Sequence, residues 1–186
     1  KVVQQRTRKE VQISNATIFM AQERARVEEA WPGDIIGVHN HGTVRIGDSF
    51  SEKEPLRFTG VPSFAPGHFR RVLLKSLSKA KALDKGLAQL SEEGAVQVFR
   101  PLVGSDRILG AVGILQFDVT KERLKNEYRA EVDFEPVGYI TTRWVTCDDR
   151  KILEAFRDQQ RGALAEDNEG NLVYLAVNSW RLARAE

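Results

Sequence analysis

Cysteine is almost missing: Cys147 stands alone in 186 residues, so no internal disulfide can close and a cysteine-rich four-ligand zinc site is excluded. That usage fits a reducing, cytoplasmic setting. Aromatic residues make up only 8% of the chain. No apolar run reaches the ~18–20 residues that a membrane-crossing helix needs, so no membrane partner is expected. With 41% hydrophobic and 29% charged residues, the composition is that of a globular protein of one or two units. The opening stretch, Lys1-Val2-Val3-Gln4-Gln5-Arg6, has no initiator Met and no secretory signal core, and reads as an internal cut.

Catalytic signatures are missing too. A phosphate loop needs Gly-x-x-x-x-Gly-Lys-Ser/Thr after a strand, and Gly110-Ala111-Val112-Gly113 lacks both the lysine and the spacing. Close packing of a strand against a helix start is the reading for that glycine pair. No Gly-x-Ser-x-Gly elbow occurs, and the acids after Cys147 disfavour a thiolate, so Cys147 reads as a buried structural thiol. His39 and His41 alternate as metal ligands on one strand face would, but further ligands close in sequence are lacking. Adjacent carboxylates such as Glu92-Glu93 and Asp148-Asp149 diverge in direction and read as solvated faces and caps. The expectation is a chain with no catalytic residue, no cofactor site and no metal site.

Charge is present but uneven. The formal net charge is +2, yet Phe69–Ser91 carries Arg70, Arg71, Lys75, Lys79, Lys81 and Lys85 against Asp84, a local balance of +5. Asp148–Glu169 reverses this, with seven acids against four bases. Clustered cations gain affinity for RNA by displacing counterions from phosphates. Those six residues are the candidate contacts, although interleaved aromatics that would stack on bases are not evident.

Hydrophobic patterning divides the chain near residue 62. Residues 1–62 hold short segments with strand character, Val11–Ile13, Thr17–Phe19, Asp34–Val38 and Thr43–Ile46, separated by turns at Pro32-Gly33 and Gly47-Asp48. This predicts antiparallel strands of a partial β-barrel, too few to close it. Residues 63–68, rich in Pro and Gly, read as a linker. From Phe69 onward the order is a strand, a helix at 79–93 with Ser78 as N-cap and Gly94 at its end, and a hairpin across Pro101–Arg107. A helix at Leu115–Tyr128 and a strand at Glu131–Glu135 follow. That is the βαββαβ order of a ferredoxin-like α+β sandwich. Acids in the last turn of the first helix oppose its dipole and imply a basic neighbour. After Pro136 come a strand at 139–146, a helix at 149–160 capped by Asp148, two strands joined by Asn168–Asn171, and a short helix after Asn178.

Five passages carry a resemblance. Glu28–Thr43, with Trp31-Pro32-Gly33-Asp34-Ile35-Ile36-Gly37-Val38, resembles the later strands of the second, β-barrel domain of translational GTPases. Ile46–Phe50 with Phe58–Pro66 is similar to the barrel exit of their release factor branch. Leu87–Phe99 resembles the opening of that branch's third domain, and Gly110–Val119 with Arg123-Leu124-Lys125 resembles the matching passage of elongation factor G. Arg143-Trp144-Val145 with Asn171–Ala176 fits the release factor's C-terminal region. The family resembled is the GTP-dependent class II peptide chain release factors.

The resemblance implies a translation-factor domain-two barrel at 1–62 and a C-terminal α+β domain at 69–186. It further implies a GTPase that promotes departure of class I release factors after peptide release. It implies as partners small-subunit ribosomal RNA, a ribosomal protein and the family's own GTPase domain, with the class I factor reached only through the ribosome. GTP, GDP and magnesium belong to that GTPase domain, to which no residue here corresponds. The alternative is a stand-alone module binding RNA or ribosomal protein without catalytic activity.

Overall fold

The computed structural model describes residues 1–13, 16–20, 23–26, 29–39, 43–44, 46–52, 54–56, 58 and 64–185. They fall into two compact units, Lys1–Pro62 and Ser63–Glu186. The fold class is α+β with antiparallel sheets throughout, and among the described residues no helix is long and apolar enough to cross a membrane.

In the first unit, β1 (Val2–Gln4) pairs with β2 (Lys9–Val11), β3 (Thr17–Met20) pairs with β4 (Glu23–Arg26), and β5 (Phe50–Ser51) joins the free side of β1. Polar groups hold its centre. Gln4, 1% exposed, donates through Nε2 to the Thr43 carbonyl at 2.9 Å and to Asp48 Oδ2 at 2.6 Å, while its Oε1 accepts from Thr7. Sequence patterning misplaces three strands here: the one expected at Val11–Ile13 lies earlier, at Lys9–Val11, because its register is set by pairing Val11 with Val2. Among the described residues Asp34–Val38 forms only a single bridge, Gly37 to Thr17. The segment leaves a turn whose ends are tied together: Asp34 N–H donates to the Trp31 carbonyl at 2.9 Å, and the Asp34 carboxylate accepts from Trp31 N–H at 2.7 Å. Thr43 and Val44 form no strand either, because Gln4 and Arg6 side chains claim the Thr43 carbonyl. Asn40, His41 and Arg45 lie outside the described residues.

The second unit has a seven-stranded sheet. β6 (His68–Leu74), α1 (Ala80–Glu92), β7 (Gln97–Pro101), β8 (Ile108–Ala111), α2 (Leu115–Tyr128) and β9 (Val132–Pro136) supply the βαββαβ half, with spatial order β7-β8-β6-β9. β10 (Thr141–Trp144), α3 (Arg150–Gln159), β11 (Leu164–Glu166), β12 (Leu172–Ala176) and α4 (Ser179–Ala185) complete it. β11 pairs with the end of β7, and β12 and β10 follow outward.

Alternation along the strands sorts side chains into three clusters. Val98, Leu109 and Ala111 face α1 and α2, meeting Leu83, Leu87, Leu90, Phe117 and Leu124. Phe99, Ile108 and Phe69 point the other way, onto Ala165, Val173 and Leu175. Leu164, Tyr174 and Ala176 face α3 and α4. The strands of the two halves thus meet across the middle cluster, with helices packed on the outer faces.

Helix ends follow local chemistry. Gly94, at φ 74°, closes α1: its N–H donates to the Ser91 carbonyl and Ala95 N–H to the Leu90 carbonyl, a Schellman arrangement. Ser78 is not the N-cap of α1. It lies in a 3₁₀ turn, Leu77–Lys79, so Lys79 takes the cap position without a side-chain bond. α3 is capped by Asp149 rather than Asp148, its carboxylate accepting from Lys151 and Ile152 N–H. The acidic end of α1 does find its base: Arg123 of α2 bonds Glu93 at 2.5 Å and also grips Glu127. The 63–68 linker expected from Pro and Gly is corrected as well. Pro66 is buried, the Phe64 carbonyl accepts from Gln97 Nε2 at 2.8 Å, and a side chain on Gly110 would meet Pro66 Cγ at 2.6 Å. Gly110 therefore makes room for Pro66 and Phe99, not for a helix start.

Candidate nucleic-acid interface

Strand and helix geometry splits the basic stretch. Consecutive residues of β6 point to opposite sheet faces, so Arg70 and Arg71 diverge. Arg70 lies with Cζ 5.4 Å from the Phe117 ring centroid, on the α1–α2 side, and donates from Nη1 to the Phe69 carbonyl. Arg71, on the other face, is held between Asp106 at 3.0 Å and Glu135 at 3.3 Å. Lys75 shares Asp133 with Lys121, at 3.6 and 2.8 Å. The Lys121 ammonium keeps the Asp133 carboxyl below its ordinary range, and Asp133 in turn raises Lys121. All three early cations are thus engaged within the protein.

Lys79, Lys81 and Lys85 differ. Each is exposed, with no ion pair or side-chain hydrogen bond among the described residues. Their placement follows from the helix period: Leu83, Gly86, Leu87 and Leu90 turn inward, leaving Lys81 and Lys85, four apart, on the outer surface. Two exposed cations that sequence reasoning passed over, Lys125 and Arg129, lie at the C-terminal end of α2, whose Tyr128 is the neighbour of Gly86. The residues 125 and 129 follow the same four-residue spacing, which is the signal that could have found them.

The one acid of the basic stretch is neutralised. Asp84 accepts two bonds from Arg107, Nε to Oδ1 at 2.5 Å and Nη2 to Oδ2 at 2.9 Å. The hydrogen bonds from Arg107 hold the Asp84 carboxyl below its usual value against the opposing effect of burial, so it stays ionised and paired. The α1–α2 surface can therefore attract phosphates without a free carboxylate at Asp84.

The remaining candidates resolve simply. Cys147 is exposed, not buried: β10 ends at Trp144, and the loop to α3 carries the thiol to the surface. Among the described residues no group of His, Cys, Asp and Glu could hold a metal ion, and His39 is exposed. The N–H groups of Val112 and Gly113, which a phosphate at this turn would need, both donate to Gln116 Oε1 at 2.9 Å.

Two segments of the chain match known protein families. Residues 1–53 match elongation factor G domain 2, a domain of a translation GTPase family. Residues 58–186 match the family described as class II release factor RF3, C-terminal domain. The chain belongs to the class II release factor family, and its domains are those of translation factors. It is also similar to a crystal structure of ttk003000868 from Thermus thermophilus, at 25% identity and a TM-score of 0.52. That match covers 67% of this chain and 20% of the other, so this chain spans about a fifth of that protein.

Proposed function

We propose that this chain is the ribosome-docking part of a termination GTPase that promotes departure of class I release factors from the ribosome after peptide release. One observation carries the reading: a segment matching elongation factor G domain 2 is followed directly by one matching the class II release factor C-terminal domain. On this reading small-subunit ribosomal RNA and a ribosomal protein are the direct partners, in the cytoplasm. The class I factor is affected through the ribosome. GTP, GDP and magnesium are the business of the intact factor's own GTPase domain, and no residue of this chain is assigned to nucleotide chemistry.

Lys79, Lys81 and Lys85, unpaired among the described residues, support the RNA contact, since each phosphate neutralised releases counterions and steepens the salt dependence of binding. Co-sedimentation of the chain with ribosomes over a salt series tests it. Changing these three lysines to Gln is expected to reduce the log–log salt slope by up to about 3, near one unit for each phosphate that is no longer neutralised. Arg71→Gln is expected to leave the slope almost unchanged. A slope unaffected by the triple change would reject these lysines as the RNA contact.

A further inference from the structure

The connection from β6 to α1 exposes an apolar tip between hydroxyls, directly ahead of the unpaired lysines. Strand pairing along β6 ends at Lys75, whose N–H donates to the Glu131 carbonyl at 3.1 Å. Ser76 is extended, at φ −134° and ψ 115°, and the 3₁₀ turn Leu77–Lys79 then leads into α1. At the apex Leu77 is 88% exposed, more than any other large apolar side chain among the described residues. Ser76 and Ser78 flank it, both exposed, with their hydroxyl oxygens 2.9 Å apart. One hydrogen bond joins that pair, so one hydroxyl hydrogen and lone pairs on both oxygens remain for an outside partner.

Charge gives the apex a direction. On the strand side stand acids, Glu131 beside Lys75 and Asp133 held by Lys75 and Lys121. On the helix side Lys79, Lys81 and Lys85 are unpaired among the described residues, and Asp84 is occupied by Arg107. Acids return only at the C-terminal end of α1, with Glu92 and with Glu93 bound to Arg123. A polyanion is therefore drawn over the apex and the first turns of the helix. Side-chain type selects its form. Lys75–Glu92 contains no aromatic residue and no arginine. Splayed bases of a single strand are recognised by stacking on aromatic rings or guanidinium planes, and neither is offered here. Lysine ammoniums are point charges that hold phosphates without reading a base. An A-form duplex presents a wide, shallow minor groove lined by ribose 2′-hydroxyls, which a short tip with two hydroxyls and one apolar side chain can enter.

We propose that Ser76, Leu77 and Ser78 enter the minor groove of a duplex RNA whose backbone is held by Lys79, Lys81 and Lys85. The two hydroxyls exchange hydrogen bonds with ribose 2′-hydroxyls, Leu77 packs on the apolar faces of the sugars, and the lysines neutralise flanking phosphates. This deepens the ribosome-docking reading and rests on it, since it names the form of RNA that the lysines meet and adds three residues to the contact. An acidic protein surface with a pocket for Leu77 is the competing occupant, but leucine is under-represented among the side chains that anchor protein partners.

The test titrates the whole chain, isotope-labelled, with a short RNA hairpin, a DNA hairpin of the same stem and single-stranded polyuridine, while backbone amides are followed by NMR. The RNA hairpin is expected to shift residues 76–86, and the DNA hairpin and polyuridine are each expected to bind at least about fivefold more weakly. Leu77→Ser, at a position too exposed to disturb folding, is expected to weaken the RNA hairpin about tenfold. Its log–log salt slope stays unchanged, because no phosphate contact is lost. Ser76→Ala combined with Ser78→Ala is expected to bring the RNA and DNA hairpins within about twofold of each other. No binding of the RNA hairpin, shifts elsewhere, equal affinity for the three probes, indifference to Leu77→Ser, or poly-glutamate shifting residues 76–86 as RNA does would overturn the proposal. Ribosome co-sedimentation separates the two readings. A chain that docks on ribosomes with a lysine-dependent salt slope, yet gives any of those results, sinks the minor-groove contact alone.

Discussion

A methyl group added at Gly86 sets two effects of opposite sign against each other. Gly86 lies inside α1, where helix propensity favours Ala over Gly by about 1 kcal/mol. The new Cβ, however, would stand 2.8 Å from Leu124 Cδ2 and 2.8 Å from Tyr128 Cγ. Leu124 is fully buried, and the Tyr128 atom is the root of the ring rather than a mobile tip, so neither neighbour yields without moving α2. Overpacking of this kind costs about 1–3 kcal/mol. The clash wins, and Gly86→Ala is expected to destabilise the second unit by roughly 0.5–2 kcal/mol. Urea unfolding followed by far-ultraviolet circular dichroism reads this unit directly, because the described helices all belong to it. In a Tyr128→Ala background the ring contacts vanish while the Leu124 contact stays, and Gly86→Ala is expected to cost less, with a coupling of about 1 kcal/mol. A higher urea midpoint for Gly86→Ala in the otherwise unchanged chain would refute the packing argument.

Two further changes test the electrostatics. Burial pushes the Asp167 carboxyl up, but hydrogen bonds from Asn171, Trp144 and Glu169 outweigh it and hold the group below its ordinary value. Its folded pKa therefore lies below the unfolded value of about 3.9, so its contribution is present above that pH and is lost as pH falls through the folded pKa. Asp167→Asn is expected to cost about 1 kcal/mol at neutral pH and to flatten the acid limb of urea midpoints measured below about pH 4. Arg107→Met, which breaks a two-bond pair with Asp84, is expected to cost about 1 kcal/mol, whereas Arg150→Met, in a pair exposed to solvent, costs about zero by the same assay.

Regular, strongly patterned elements were legible in the residues alone. α2 spans Leu115–Tyr128 as its apolar spacing predicts, and the βαββαβ succession follows from strand and helix periods that leave little choice. What escaped was set by contacts distant in sequence. The β1–β2 hairpin turns through Arg8 at φ 58°, a left-handed position with no Gly or Asn to announce it. The Pro66 segment reads as a linker until Gly110, 44 residues later, is found to leave space for it. The candidate surface was half legible for the same reason. Charge counting located six cations, but strand alternation and the partners Asp106, Glu135 and Asp133 removed Arg71 and Lys75 from the free set. The exposed thiol of Cys147 depends on where β10 ends, which a run of residues from 139 to 146 with strand character does not reveal.

The claim that this chain docks where an intact class II factor docks is tested most directly by competition. Ribosomes carrying a bound class I release factor after peptide release are mixed with an intact class II factor and GTP, and dissociation of the class I factor is timed with this chain in increasing excess. The account predicts progressive slowing, with more of the Lys79, Lys81 and Lys85 triple Gln variant needed for the same effect. Dissociation that proceeds at an unchanged rate at saturating excess would contradict it.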